Sequence, residues 1–228
     1  VDAGADVIVN YRMQDEHAEA VAGELSSIGA RVTLVKGDVS EAEDCEAMMR
    51  HIAQQCGRLD ILVHNAASGG FRGLLEATTA QFDAAMHTNA LSLLHLMQHA
   101  APLMVNQPQR SKVVVLSSAG THRAIPAYGL VGASKAALAA MARHLVLELG
   151  GCGLNINILE AGLVETDSTR QLPGSAEMFK ARTSTTAVGD RFLQPVDVAN
   201  AVVFLCSPLS DLIQGQTLVV DGGASILP

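Results

Sequence analysis

Tryptophan is absent from this chain, and tyrosine and phenylalanine number only two and five in 228 residues. A core must therefore be aliphatic. Nearly half the residues (49%) are apolar, mostly alanine, valine and leucine, as in a parallel sheet covered by helices on both faces. Positive charge is scarce too: 15 Lys and Arg face 23 Asp and Glu, a net charge of -8. That balance argues against nonspecific binding to nucleic acid or to an anionic membrane. No apolar run approaches the ~20 residues of a membrane span, and the opening residues have neither the basic nor the apolar region of a signal peptide. The four cysteines (Cys45, Cys56, Cys152 and Cys206) match no zinc spacing, and their scatter predicts reduced thiols in a cytoplasm. His95 and His99 stand at i, i+4 but lack a glutamate placed as a base, so no metal site is expected.

By length the chain, residues 1–228, is one domain with room for a full core. Short β-branched runs alternate with helical patterns. Strands are expected at 6–9, 32–35, 59–63, 113–116, 155–159 and 217–220. Helices are expected at 14–29, 41–56, 79–105 (one or two) and 134–149. This order predicts an α/β doubly wound parallel sheet of Rossmann type with right-handed crossovers. The longest irregular stretch, 166–188, reads as a substrate lid. Missing is the usual opening of such a sheet, a strand followed by a glycine-rich phosphate-binding turn. The residues Ala3-Gly4-Ala5 instead lead into what would be the second strand. The expectation is an N-terminally incomplete domain, because neighbours of a missing central strand would leave ladder groups unpaired.

One stretch carries chemistry. The run 113–116 ends in Ser117 and Ser118, a loop follows, and Tyr128 and Lys135 come next. A tyrosine and a lysine facing one cleft suit proton chemistry, since a nearby ammonium lowers a phenol's pKa. This text resembles the short-chain dehydrogenase/reductase family, in which a strand-end serine precedes a Tyr-x3-Lys pair. Here Val131 stands four before Lys135 and the tyrosine lies three residues earlier, giving Tyr-x6-Lys. That spacing is similar to the enoyl-acyl-carrier-protein reductases, above all type III. The shared text is Asn65-Ala66-Ala67-Ser68-Gly69, Ser117-Ser118, Arg123, Tyr128-x-x-Val131-Gly132-x-Ser134-Lys135 and Gly215-Gln216-Thr217-x-x-Val220-Asp221-Gly222-Gly223.

The resemblance implies a dinucleotide cofactor. Asp38 and Val39 would hold the adenine edge, and Asn65, Ala66 and Ala67 would line the adenosine. Gly162, Val164 and Thr166 would meet the nicotinamide side, Lys135 the ribose, and Asn89 a water chain to the lysine. Arg12 follows the first strand with no acid before Asp15, which favours NADPH over NADH. In this reading Tyr128, Lys135 and Ser118 are the catalytic residues. Moving the phenol back three residues shifts its anchor by ~4.5 Å if the segment is helical. The shift is in keeping with an oxygen two bonds beyond the carbon that receives hydride, as in a conjugated enoyl thioester.

The expected function is NADPH-dependent reduction of an enoyl thioester in fatty-acid or polyketide synthesis. The substrate would be a small molecule or an acyl-carrier-bound chain, with Arg170, Lys180 and Arg182 as a candidate carrier patch. Ser118 keeps a carbonyl reductase or alcohol dehydrogenase open. A cofactor-free binding or scaffold protein stays open if the chain truly starts at Val1. Apolar residues on extra faces of the two long helices (Leu91, Leu94, Leu96 and Met97; Met141, Leu145 and Val146) predict a homodimer or homotetramer.

Overall fold

The computed structural model describes residues 4–182, 184–189 and 191–227. Val1, Ala3, and Thr183 of the expected lid lie outside them. All six strands are parallel: β1 (Val7–Tyr11), β2 (Val32–Lys36), β3 (Ile61–His64), β4 (Ser111–Ser118), β5 (Leu154–Ala161) and β6 (Thr217–Val220). They alternate with α1 (Asp15–Ser27), α2 (Ala42–Cys56), α3 (Thr79–Met86), α4 (Ser92–Met104), α5 (Gly129–Leu149), α6 (Ser175–Ala181) and α7 (Pro195–Cys206).

The expected single sheet is two sheets here, β1–β2 and β3–β4–β5–β6. Neither β1 nor β2 shares a ladder with β3 among the described residues. Side-chain packing links the halves instead. Val35 of β2 and Met48, Met49 and Ile52 of α2 share one buried cluster with Leu62, Leu93, Val113, Val115, Leu138 and Ile158. On the opposite face of β4 and β5, Val114 and Leu159 pack with Leu205 of α7. Strand alternation sends successive residues to opposite faces, so one strand feeds both layers.

The helix ends follow local chemistry. Thr78 begins α3 with a capping box, its Oγ1 accepting from the Gln81 N–H while Gln81 Oε1 accepts from the Thr78 N–H. Between α3 and α4 the expected long helix widens into a π turn, His87–Leu91, that carries the buried Asn89. α5 starts five residues before the expected 134. Gly129–Cys152 is apolar and long enough by composition to cross a membrane, so the expectation of no such run needs correcting. Nevertheless Leu138, Ala139 and Ala142 of this helix are buried in the core cluster against Val113, Ile156 and Ile158, as in a core helix.

Two further expectations change. The stretch 166–188 is not wholly irregular, since α6 lies within it. The sequence pattern also passed over α7, a short apolar helix whose exposed side carries Val196, Val203 and Phe204.

Candidate active site

The C-terminal ends of parallel strands form the usual ligand edge of an open α/β sheet. Ser118 ends β4 there. Tyr128 sits just before α5 at its N-cap (φ -103°, ψ 4°), so the segment from 128 to 131 is helical only from Gly129. Its hydroxyl donates to Ser118 Oγ at 3.1 Å. The ring lies between two surfaces. Phe71 stacks on it (centroids 5.8 Å apart, planes at 14°), and on another side a Cβ at Gly120 would fall 2.5 Å from its Cδ1. Ala127, immediately before it, is in the left-handed region (φ 61°), and its carbonyl accepts from the Arg72 N–H at 2.8 Å.

Position 131, where the Tyr-x3-Lys pattern would place the phenol, is closed. Val131 is 7% exposed, and a Cβ at Gly69 would meet its Cγ2 at 2.4 Å. Gly132 keeps the adjacent loop close to α5, because a Cβ there would lie 2.6 Å from the Gly120 carbonyl oxygen. Seven residues at 100° each bring Lys135 back within about 20° of Tyr128 around the helix axis.

Lys135 is 5% exposed and donates to the Leu116 carbonyl at 2.7 Å. Burial pushes its ammonium down to about 8. The sequence argument expected Lys135 to lower the Tyr128 phenol. The structure gives the opposite direction: burial raises it, and the Ser118 hydrogen bond opposes that rise in part. The ammonium instead presses on His64, which burial and Lys135 together push down to about 4. His64 Nε2 pairs with Ser92 Oγ at 2.6 Å.

Asn89 does not stand alone in its helix. Its Nδ2 donates to the Ser68 carbonyl (2.7 Å) and Ser134 Oγ (2.9 Å), and its Oδ1 accepts from the Ser68 N–H (2.6 Å). It therefore fastens the loop after β3 to α5.

The expected cofactor residues gather at the same strand ends. Asp38 follows β2, with Val39 buried beside it, and Asn65, Ala66 and Ala67 follow β3. Gly162 donates its N–H to the Val220 carbonyl at 2.9 Å, and Val164 and Thr166 follow in the loop after β5. Thr166 is engaged locally, its Oγ1 3.0 Å from that of Thr169. Arg12 is not free. It donates to Asp38 Oδ2 at 3.2 Å while lining an open hollow of 750 Å³ with Lys36 and His17. Two of the three residues of the expected carrier patch are paired: Arg170 with Glu165 and Asp167, and Arg182 with Glu165 while it covers the Phe192 ring.

Sequence reasoning missed three neighbours of this site. Phe71 and Arg72 could not be found by pattern, because a loop brings them in. Glu160 is 3% exposed near the end of β5, 3.5 Å from His122, and burial raises its carboxyl. An acid inside an apolar strand was the signal.

The family model described as Enoyl-(Acyl carrier protein) reductase matches residues 1–225. The chain is 31% identical to 1-cyclohexenylcarbonyl-CoA reductase of Streptomyces collinus, over 98% of this chain and 79% of the relative. It is 30% identical to the 3-oxoacyl-[acyl-carrier-protein] reductase FabG of Staphylococcus aureus, over 97% and 89%. Among solved structures it resembles the NADH-type enoyl-[acyl-carrier-protein] reductase of Aquifex aeolicus, with a TM-score of 0.90, 28% identity, and 99% and 88% of the two chains covered. A gluconate 5-dehydrogenase of Burkholderia cenocepacia, in complex with NADP and tartrate, also has a TM-score of 0.90, with 27% identity over 100% and 88%.

Proposed function

Because the chain belongs to the short-chain dehydrogenase/reductase family of NAD(P)(H)-dependent oxidoreductases, we propose that it reduces the C2=C3 double bond of an enoyl thioester with NADPH. The observation that carries this reading is the place of the phenol. Tyr128 is held at the N-cap of α5 by Ser118 and Phe71, while Val131 and Gly69 leave no space at the nearer position. A donor set back in this way suits an oxygen remote from the carbon that accepts hydride.

The donor set fits a dinucleotide. An ammonium has three donors, and Leu116 takes one from Lys135, so two remain for ribose hydroxyls. Asp38 can accept from an adenine edge, and the residues after β3 can line the adenosine. Gly162, Val164 and Thr166 are assigned to the carboxamide end. When bound, the cofactor supplies the hydride.

The raised pKa of Tyr128 keeps its proton on the phenol oxygen at neutral pH. Tyr128 therefore acts as a hydrogen-bond donor to the thioester carbonyl, worth more as charge develops on that oxygen. Lys135 adds positive potential below about pH 8. The Tyr128 donation to the thioester replaces the one to Ser118 Oγ, and the Ser118 hydroxyl then donates to the phenol oxygen and orients it. We place the reaction in fatty-acid or polyketide synthesis, carried out by a cytoplasmic homodimer or homotetramer.

The Ser118–Tyr128 contact of 3.1 Å favours a second reading, because two hydroxyls so placed can both donate to one ketone oxygen. Crotonyl-CoA and acetoacetyl-CoA, each assayed with NADPH and with product masses read, separate the two. Butyryl-CoA is expected. Hydroxybutyryl-CoA alone would replace this reading with a carbonyl reductase.

A further inference from the structure

Beside Tyr128 lies a pocket of 290 Å³ whose wall includes Arg72, Leu74, Arg123 and Ile125. Arg72 Nε is shut off from solvent and has no acceptor among the described residues. Its backbone is pinned by the bond to Ala127, and its guanidinium lies against Gly70, where a Cβ would be 3.0 Å from Nη2. Arg12, Arg31, Arg58 and Arg191 each pair with a carboxylate, whereas Arg72 has no such pair among the described residues. Arg123 donates a long bond, 3.4 Å, to the Ala224 carbonyl and lies in the field of Glu160 and Asp221, so its charge is partly compensated while other N–H groups stay available. Two guanidiniums thus meet at one hollow of an acidic chain, next to the phenol of the proposed reaction.

Resting on the enoyl reductase reading, we propose that this pocket grips a carboxylate carried by the acyl group, so that the preferred substrate is the thioester of an unsaturated dicarboxylic acid. An Arg72 Nε shut off from water without an acceptor is unfavourable, and a carboxylate answers a guanidinium's planar donors in pairs. Leu74 and Ile125 give the same space apolar walls, which suit a short carbon chain and offer nothing to a hydrated inorganic anion. The size decides between carboxylate and carrier phosphate. A volume of 290 Å³ is at the small end of ligand pockets. The phosphate of a pantetheine arm lies a long chain of single bonds from the thioester. It cannot share so small a space with the carbonyl that Tyr128 binds.

The test pairs binding with turnover. Glutarate, butyrate and inorganic phosphate are titrated into the wild type and Arg72→Gln by calorimetry, and glutaconyl-CoA is compared with crotonyl-CoA as substrate. Glutarate should bind the wild type and lose about 10- to 100-fold in Arg72→Gln, the scale of a charge-assisted pair. The wild-type preference for glutaconyl-CoA in kcat/KM should collapse with it. Arg123→Gln, on an exposed side chain, should also weaken glutarate and serves if Arg72→Gln does not fold. Equal glutarate binding in wild type and variants, or phosphate binding as tightly as glutarate, overturns the proposal. If glutarate binds through Arg72 but neither thioester is reduced, the pocket stands and the enoyl reductase reading fails.

Discussion

Replacing Lys135 with methionine should stabilise the protein at neutral pH while disabling it, and the two effects have separate origins. In the unfolded chain this lysine titrates at 10.5, and burial brings it to about 8 in the fold. Between those values the unfolded state binds more protons, so stability rises with pH across that window; below pH 8 the full penalty is present. A difference of 2.5 at 1.36 kcal/mol per unit makes the buried charge unfavourable by about 3 kcal/mol at pH 7. Methionine removes that penalty but loses the bond to the Leu116 carbonyl, which costs about 1 kcal/mol. Lys135→Met should therefore be more stable than wild type by about 2 kcal/mol at pH 7 and less stable by about 1 kcal/mol near pH 10.5, where the penalty has vanished. Urea unfolding at several pH values measures the difference directly. Cofactor binding and turnover should both fall in the variant, since the proposed ribose donors are gone. A stability difference that stays constant from pH 7 to pH 10.5 would refute the reasoning, because it would mean that no buried charge is being titrated.

Tyr128→Phe should cut kcat for crotonyl-CoA by roughly 100-fold or more with cofactor affinity nearly unchanged, and retained activity would remove Tyr128 from the chemistry. Arg12→Ala should raise KM for NADPH by about 10- to 100-fold and leave that for NADH nearly alone, as steady-state kinetics with both cofactors would reveal. The arginine must leave Asp38 to do this, so equal effects would mean that it only supports the adenine side. Ala127→Gly should stabilise the fold by about 1 kcal/mol in urea titration, because glycine enters the left-handed region without the Cβ clash. Light scattering at micromolar concentration should return a dimer or tetramer; a monomer would leave the exposed Leu94 without the expected partner, whereas Leu96 and Met97 of the expected interface are already buried in the core.

The strands and most of the helices were legible because period and composition are local properties. The runs around 32–35 and 217–220 became β2 and β6 with bounds displaced by at most one residue. Ser118 and Tyr128, singled out by their order around β4 and α5, meet through a hydrogen bond, while Lys135 bonds the Leu116 carbonyl of the same strand. The absence of a glycine-rich turn is visible as text, and the described strands form two sheets, β1–β2 and β3–β4–β5–β6. The sequence could not show that the strands would pair as two sheets, because pairing is a matter of spatial neighbours. The missed α7 is apolar around most of its surface and so offers little periodicity to read. Ion pairs between residues distant in sequence were not legible. Arg12 meets Asp38, 26 residues on, and Arg182 meets Glu165, 17 residues back. The direction of the Tyr128 shift likewise depends on burial under Phe71 and Gly120, and desolvation is a property of the packed site. Residue types and their order determined the fold and the reactive groups. Only tertiary packing decided which groups are dry, which charges are paired, and that Arg72 is left facing a pocket.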